Sequence, residues 1–172
     1  MSKLVIIRGN SGSGKTTVAK ALQHKLGHNI MVISQDVIRR DMLRVKDAVD
    51  TKALSLLSEL LVYGNNNCKF VILEGILYSQ WYMPLFELAK RLFANNIWAY
   101  YYDLTFAETL IRHNSKSNRD DFGKKEMEKW WHEKDYIGII PEKVISQDMS
   151  LTNTVEMILK DILHYNRNLS SR

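Results

Sequence analysis

The chain has 172 residues, of which 45% are hydrophobic and 25% are charged. This length and composition are typical of one globular domain, and they exclude a disordered tail protein or a collagen-like fibre. The formal net charge of +5 is compatible with an anionic ligand, but it is too small to indicate nucleic-acid binding by itself.

Short apolar runs rich in β-branched residues predict five strands, at 4–7, 30–33, 70–73, 97–102 and 144–145. The runs are mostly continuous rather than alternating, which is typical of strands covered on both faces. Helical patterns lie between and after them, at 15–26, 51–63, 84–95, 105–112, 124–136 and 154–165. The alternation predicts an α/β fold with a mainly parallel five-stranded sheet, forming a single domain over 1–172.

Turn and capping residues set the expected ends of several helices. Gly64 is expected to stop the helix at 51–63, and Pro84 is expected in the first turn of the helix that follows. Thr105 and Glu108 have the spacing of a capping box, which predicts the start of the fourth helix.

The first predicted strand is followed by a glycine-rich segment that fits G-x-x-x-x-G-K-[ST] at every fixed position. Its glycines let backbone N–H groups approach phosphate oxygens, and the following helix adds its own unpaired N–H groups. Lys15 supplies a cation for the outer phosphates, and the Thr16 hydroxyl is a candidate Mg²⁺ ligand. The glycines do not fit G-x-G-x-x-G, which argues against NAD or FAD. The expected ATP-binding residues are Gly9, Asn10, Ser11, Gly12, Ser13, Gly14, Lys15, Thr16 and Thr17.

Asp36 follows the second predicted strand, at the sheet edge where ligands bind in open α/β folds. Its carboxylate is a candidate catalytic base that takes a proton from a substrate hydroxyl attacking phosphorus. Arg39 lies one helical turn further and is a candidate to orient the acceptor. The alternative is that Asp36 caps the following helix and Arg39 is solvated.

Glu74 and Gly75 follow the third predicted strand at the same edge. A carboxylate there is a candidate to hold Mg²⁺ with its water shell or to position the acceptor, and the glycine lets the chain turn beside a ligand. The alternative is that Glu74 is an ordinary loop residue.

These segments together resemble the P-loop kinases of the small-molecule and nucleoside kinase group. Ser34-Gln35-Asp36 and Leu73-Glu74-Gly75-Ile76-Leu77 are similar to uridine kinase segments, in which the aspartate after the second strand is the catalytic base. The Asp36-x-x-Arg39 spacing also resembles polynucleotide 5′-hydroxyl kinases and zeta-toxin-like domains, where the pair serves as base and acceptor-side arginine. The resemblance implies the three-layer α/β/α fold of P-loop NTPases.

The resemblance also implies an acceptor-side helical region at about 36–63 and a helical lid at about 112–123. The lid segment contains Arg112 and Arg119, and either guanidinium is a candidate catalytic residue that stabilises charge on the transferred phosphoryl group. The alternative is an ordinary solvated loop. Adjacent Trp130 and Trp131 face different directions, so one of them is a candidate to line the acceptor pocket, as is Trp81 with its neighbour Tyr82.

The motifs therefore predict an ATP-dependent, Mg²⁺-requiring kinase that phosphorylates a hydroxyl of a small molecule, with a nucleoside-like acceptor as the first expectation. A polynucleotide 5′-hydroxyl kinase, an antibiotic or sugar kinase, and a regulatory ATPase module without kinase activity are left open. Nucleic acid is not favoured, because the basic residues of 39–46 are interleaved with aspartates.

Cys68 is the single cysteine, so no intrachain disulfide forms and a reducing cytosol is expected. Only residues 4–7 are consecutively apolar near the start, which is too short for a signal peptide. No run approaches the ~20 apolar residues of a membrane span, so we expect a cytoplasmic location and no membrane partner.

Overall fold

The computed structural model describes residues 2–114 and 123–169, with side chains up to residue 163. Its five strands form one sheet in the order β2-β3-β1-β4-β5, and every neighbouring pair is parallel. This confirms the predicted α/β class with its five-stranded sheet. The strands are β1 (Lys3–Gly9), β2 (Ile30–Ser34), β3 (Phe70–Gly75), β4 (Ile97–Tyr102) and β5 (Glu142–Ile145).

Six α-helices and a short π-helix connect and flank the strands within the described residues. No described helix combines the length and the apolar composition that a bilayer span requires. The helices are α1 (Lys15–Leu26), the π-helix (Val37–Met42), α2 (Lys52–Asn67), α3 (Ser79–Phe93), α4 (Phe106–Asn114), α5 (Lys124–Lys129) and α6 (Leu151–Leu169).

The sheet separates two hydrophobic cores, which makes the fold three-layered. Leu4 and Ile6 of β1 pack on one face with α2 and α3, whereas Val5 and Ile7 pack on the other face with α1 and α6. Successive side chains of a strand point to opposite faces, so a strand in the middle of such a sheet must be apolar at every position. This is why the predicted strands read as continuous apolar runs.

The structure corrects two predicted helix boundaries. Helix α2 continues past Gly64 to Asn67, because this glycine is a packing residue: a Cβ there would lie 2.5 Å from Cγ2 of Val71. Helix α3 begins at Ser79, so Pro84 is inside the helix and not in its first turn. The N–H and hydroxyl of Ser79 both donate to the Asp135 carboxylate, a distant contact that fixes this helix start.

The helix predicted at 124–136 is also shorter than expected, since α5 ends at Lys129. The residues after it form an irregular segment that packs on the sheet through buried Arg8. The Arg8 guanidinium forms ion pairs with Asp135 at 2.6 Å and Glu142 at 2.9 Å, and it donates to the carbonyl of Leu77. These contacts hold the 130–141 segment beside the carboxyl ends of the strands.

Candidate functional site

The glycine-rich loop between β1 and α1 requires glycine for two reasons. Gly9, Gly12 and Gly14 have φ angles of +143°, +82° and +104°, a region that other residues rarely adopt. At Gly12, a Cβ would also lie 2.6 Å from the backbone oxygen of Thr109 in α4. The loop therefore lies directly against a neighbouring helix, and its backbone N–H groups are not shielded by side chains at the glycines.

Lys15 begins α1, and its side chain is buried against the loop. Its Nζ donates to the carbonyl of Asn10 at 2.8 Å and to the hydroxyl of Ser13 at 3.2 Å. Asn10 also anchors the loop to the 130–141 segment, because its side chain exchanges two hydrogen bonds with the backbone of His132. Thr16 and Thr17 follow in the first turn of α1 and are exposed.

Glu74 joins three elements at the carboxyl edge of the sheet. The residue is 2% exposed, and its Oε1 accepts hydrogen bonds from the hydroxyls of Thr16 at 3.1 Å and Ser34 at 2.5 Å. The structure thus places Thr16 and Glu74, the two predicted metal-site residues, in direct contact. It adds the hydroxyl of Ser34 to the same cluster.

Asp36 lies immediately before the π-helix, and its carboxylate faces two arginines. Oδ1 accepts from Nη2 of Arg39 at 2.9 Å and lies 3.3 Å from Nε of Arg40. The Asp36 side chain is 49% exposed, so a substrate hydroxyl can reach it. Asp36 accepts no hydrogen bond from a backbone N–H of the π-helix, which does not support the capping alternative.

A buried amide supports the start of the π-helix. The Gln35 side chain accepts from the N–H groups of Ile76 and Leu77, and it donates to Asp47 and to the hydroxyl of Tyr82. The Tyr82 hydroxyl donates to Asp47 at 2.6 Å. Burial raises the pKa of Tyr82, so its hydroxyl stays protonated as a donor. This network links the ends of β2 and β3.

A cavity of about 450 Å³ lies beside Arg39 and Arg40. Aromatic side chains line one part of it: the Tyr78 ring stacks on the His132 ring with centroids 3.8 Å apart, and Trp81 meets Tyr78 edge-on. Trp130 lines it too, with the Arg40 guanidinium 5.4 Å from its ring centroid. The neighbouring Trp131 lines a separate cavity, also of about 450 Å³, which contains Asn10 and Gln147.

Arg112 of α4 contacts the glycine-rich loop. Its Nε donates to Glu108 at 2.6 Å, Nη1 donates to the carbonyl of Ser13 at 3.2 Å, and Nη2 donates to the carbonyl of Gln147 at 3.0 Å. Arg112 thus bridges the loop and the segment after β5. Arg119 and most of the predicted lid lie outside the described residues.

The sequence model of one family, described as an AAA domain, matches residues 4–120. The chain belongs to this AAA-domain family. No curated protein sequence matches this AAA-domain chain.

Solved structures resemble this AAA-domain chain over almost its whole length. A gluconokinase from Sinorhizobium meliloti 1021 has a TM-score of 0.71 and 16% identity, covering 98% of this chain and 95% of its own. The Mycobacterium tuberculosis APS kinase CysC, solved with AMPPNP and APS, has a TM-score of 0.60 and 20% identity, with coverage of 95% and 98%. A tunicamycin resistance protein from Deinococcus radiodurans has a TM-score of 0.61 and 14% identity, with coverage of 94% and 96%. At these identities the likeness establishes a shared fold.

Several residues of the AAA-domain site were not among the predicted site residues. Ser34 and Gln35 directly precede Asp36 in the sequence, and this position beside the predicted catalytic base was the signal that could have indicated them. Asp47 reaches the site only through tertiary packing. Tyr82, which was expected with Trp81 as a candidate to line the acceptor pocket, is buried and does not line the cavity. Arg40 lies four residues after Asp36, and this i,i+4 spacing was the available signal that it also contacts the aspartate.

Proposed function

We propose that this protein is an ATP-dependent kinase that transfers the γ-phosphoryl group to a hydroxyl of a small molecule. One observation carries the proposal: Arg39, the partner of the half-exposed Asp36 carboxylate, lines a 450 Å³ cavity whose other wall is attached to the glycine-rich loop. The attachment is the backbone of His132, which is hydrogen-bonded to Asn10 of the loop. A phosphate donor and a hydroxyl acceptor thus have neighbouring sites.

The phosphates of ATP bind residues 9–17 in this proposal. The glycine N–H groups and the backbone N–H groups at the start of α1 donate to phosphate oxygens. Phosphate oxygens carry more negative charge than the carbonyl and hydroxyl oxygens that accept from Lys15 in the structure. Lys15 Nζ therefore exchanges the Asn10 carbonyl and the Ser13 hydroxyl for the outer phosphates. Arg112 holds the Ser13 backbone and stabilises the loop in this conformation.

The cluster of Thr16, Ser34 and Glu74 suits a hard divalent cation, because every atom that could ligate the metal is an oxygen and Glu74 carries a negative charge. Thr16 would ligate Mg²⁺ and Glu74 would hold its water shell. When bound, Mg²⁺ neutralises phosphate charge during transfer.

Asp36 is the general base in this account. The acceptor hydroxyl gives its proton to the Asp36 carboxylate as its oxygen forms the new bond to the γ-phosphorus, and the bond to the β-phosphate oxygen breaks to release ADP. Arg39 and Arg40 orient the carboxylate through their contacts with its Oδ1. Arg119 remains a candidate for stabilising the transferred group.

The acceptor class is supported by the cavity and by the fold. The gluconokinase and APS kinase that share the fold are named for small-molecule acceptors. Tyr78, Trp81 and Trp130 line the cavity with ring surfaces, which suit a nucleoside-like or sugar acceptor. A nucleoside-like compound is therefore the first acceptor to test.

The proposal is tested by ATP turnover in a panel of nucleosides, sugars, aminoglycosides and a 5′-hydroxyl oligonucleotide. We expect little turnover alone and a sharp rise with one class of hydroxyl compound. In Asp36→Asn, turnover with that compound should fall by roughly 10²-fold or more, the usual effect of a general base, while ATP binding is retained.

Asp41→Asn is the matched control, since Asp41 is an exposed aspartate of the same π-helix. It should keep nearly full turnover. Equal turnover in the wild type and Asp36→Asn would remove Asp36 from the mechanism. Turnover that rises only with a macromolecular partner would indicate a regulatory ATPase.

A further inference from the structure

We infer that the acceptor is an anion: besides the reacting hydroxyl it carries a carboxylate, phosphate or sulfate group that binds in the cavity beside Asp36. This inference rests on the proposed kinase function and specifies its substrate class. It follows from the charge of the cavity wall, the hydrogen-bond donors left over there, and the position of the cavity beside the phosphate-binding loop.

The cavity wall is strongly cationic. Its lining includes Arg39, Arg40, Lys46 and Lys129, but Asp47 is its one carboxylate within the described residues. Both oxygens of Asp47 already accept hydrogen bonds, one from Gln35 at 2.9 Å and one from Tyr82 at 2.6 Å. Burial lowers the pKa of His132, so its ring adds no charge near neutral pH. The wall therefore has an excess of positive charge.

The internal ion pairs use only part of this donor capacity. Asp36 contacts Arg39 through one oxygen, whereas a guanidinium has five N–H donors. Nε of Arg39 is buried and has no hydrogen-bond partner in the described part of the chain. Over the same residues, neither Lys46 nor Lys129 has an ion-pair partner. A buried, unpaired guanidinium donor is costly unless a ligand accepts from it.

The position of these donors fits an acceptor and not a second nucleotide phosphate. Arg39 and Arg40 reach both the cavity and Asp36, so an anion bound by them has its own hydroxyl near the proposed base. His132 lines the cavity with its ring, and its backbone is hydrogen-bonded to Asn10 of the glycine-rich loop. An anionic group in the cavity is thus oriented relative to the γ-phosphate.

The size and walls of the cavity favour a small anion over a polynucleotide. A volume of about 450 Å³ is typical of small-molecule pockets. Tyr78, Trp81 and Trp130 bound it with ring faces that pack on one ring of a ligand. A polynucleotide requires a basic groove that continues along the surface.

The test uses matched pairs of compounds that differ in one anionic group: uridine with uridine 5′-monophosphate, adenosine with adenosine 5′-monophosphate, and glucose with gluconate. Binding of each is followed by tryptophan fluorescence at saturating non-hydrolysable ATP analogue, and phosphorylation is followed with ATP. We expect the anionic member to bind about tenfold more tightly in at least one pair, because the neutral member cannot accept hydrogen bonds to a charged group from the cationic side chains of the cavity. That preference should weaken as salt increases.

The variant Lys46→Gln/Lys129→Gln should reduce binding of the preferred anion about tenfold and leave its neutral partner nearly unaffected. Lys25→Gln is the control, since Lys25 is exposed near the end of α1, outside the cavity. Equal or tighter binding of the neutral member in every pair would overturn the inference, as would preferential phosphorylation of a 5′-hydroxyl oligonucleotide. Phosphorylation of neutral compounds alone would contradict the anionic acceptor class but agree with the proposed kinase function. Binding of the anion without any phosphoryl transfer would contradict only the proposed kinase function.

Discussion

Glu74 illustrates how one carboxylate organises the edge of the sheet. It follows the four apolar residues that begin β3, it is 2% exposed, and two hydroxyls from different elements donate to it. Within the described residues Glu74 has no ion-pair partner. A buried carboxylate in that situation is energetically costly, and a bound cation offsets the cost. The Thr16–Ser34–Glu74 cluster is therefore expected to bind Mg²⁺ more tightly with ATP present.

Replacing Glu74 by glutamine tests this at the scale of one charge. Glu74→Gln keeps the shape and an acceptor oxygen but loses the negative charge, so turnover at limiting Mg²⁺ should fall about 10- to 100-fold. Raising the Mg²⁺ concentration should restore part of it. Glu59→Gln, at an exposed position of α2, is the control. A Glu74→Gln enzyme with unchanged Mg²⁺ dependence would contradict the metal role.

Site residues could be predicted from the sequence where a motif fixes their spacing. Lys15 and Thr16 follow from the glycine pattern, and Asp36 with Arg39 from a separation of one helical turn. Asp47 was missed, and the contact of Tyr82 with Gln35 was not foreseen, because these residues are 12 and 47 residues from Gln35 along the chain and only folding brings them to it. No local pattern carries that information.

At the scale of elements, the glycine-rich loop is shaped by α4. Gly12 and Gly138 both have left-handed backbone conformations, with φ of +82° and +78°. They differ in their surroundings: a Cβ at Gly12 meets the Thr109 oxygen at 2.6 Å, whereas a Cβ at Gly138 meets nothing within 4 Å. The pair separates the effect of backbone strain from that of contact.

Gly138→Ala should cost about 1 kcal/mol of unfolding free energy, from strain alone, and leave ATP binding unchanged. Gly12→Ala should also displace the loop from α4 and weaken binding of a non-hydrolysable ATP analogue by about tenfold or more. Urea unfolding and calorimetric titration measure the two effects. Equal analogue affinities in the two variants would show that contact with α4 does not shape the loop.

Element positions were predictable from periodicity, but several element ends were not. Gly64 looked like a helix stop because glycine commonly ends helices, yet here it allows α2 to approach β3 closely. The helix around Pro84 begins earlier because Asp135, 56 residues away from Ser79, accepts hydrogen bonds at its start. Local signals give the type of an element, and tertiary contacts decide where it ends.

The whole molecule depends on one buried cation that the sequence did not reveal. Arg8 ends an apolar run and resembles an ordinary charged residue at a strand end, but its side chain is 0% exposed. Its partners Asp135 and Glu142 are 127 and 134 residues away. This cluster attaches the 130–141 segment, and with it His132, to the sheet.

Arg8→Met should lower the free energy of unfolding by about 3–5 kcal/mol, because it leaves two buried carboxylates without a cation. Lys143→Met is the control: its ion pair with Asp161 is at the surface, and its loss should cost less than about 1 kcal/mol. Urea denaturation of both variants measures the difference. Similar losses in the two would show that the buried cluster does not hold the fold together.

The proposed reaction moves the γ-phosphoryl group from ATP on the glycine-rich loop to a hydroxyl in the adjacent cavity. The most direct test is a single turnover with γ-labelled ATP and Mg²⁺ in the presence of the anionic acceptor panel, with the label followed into products. We expect label in a phosphorylated acceptor and strongly reduced transfer in Asp36→Asn. Label recovered only as inorganic phosphate, whatever acceptor is added, would contradict it.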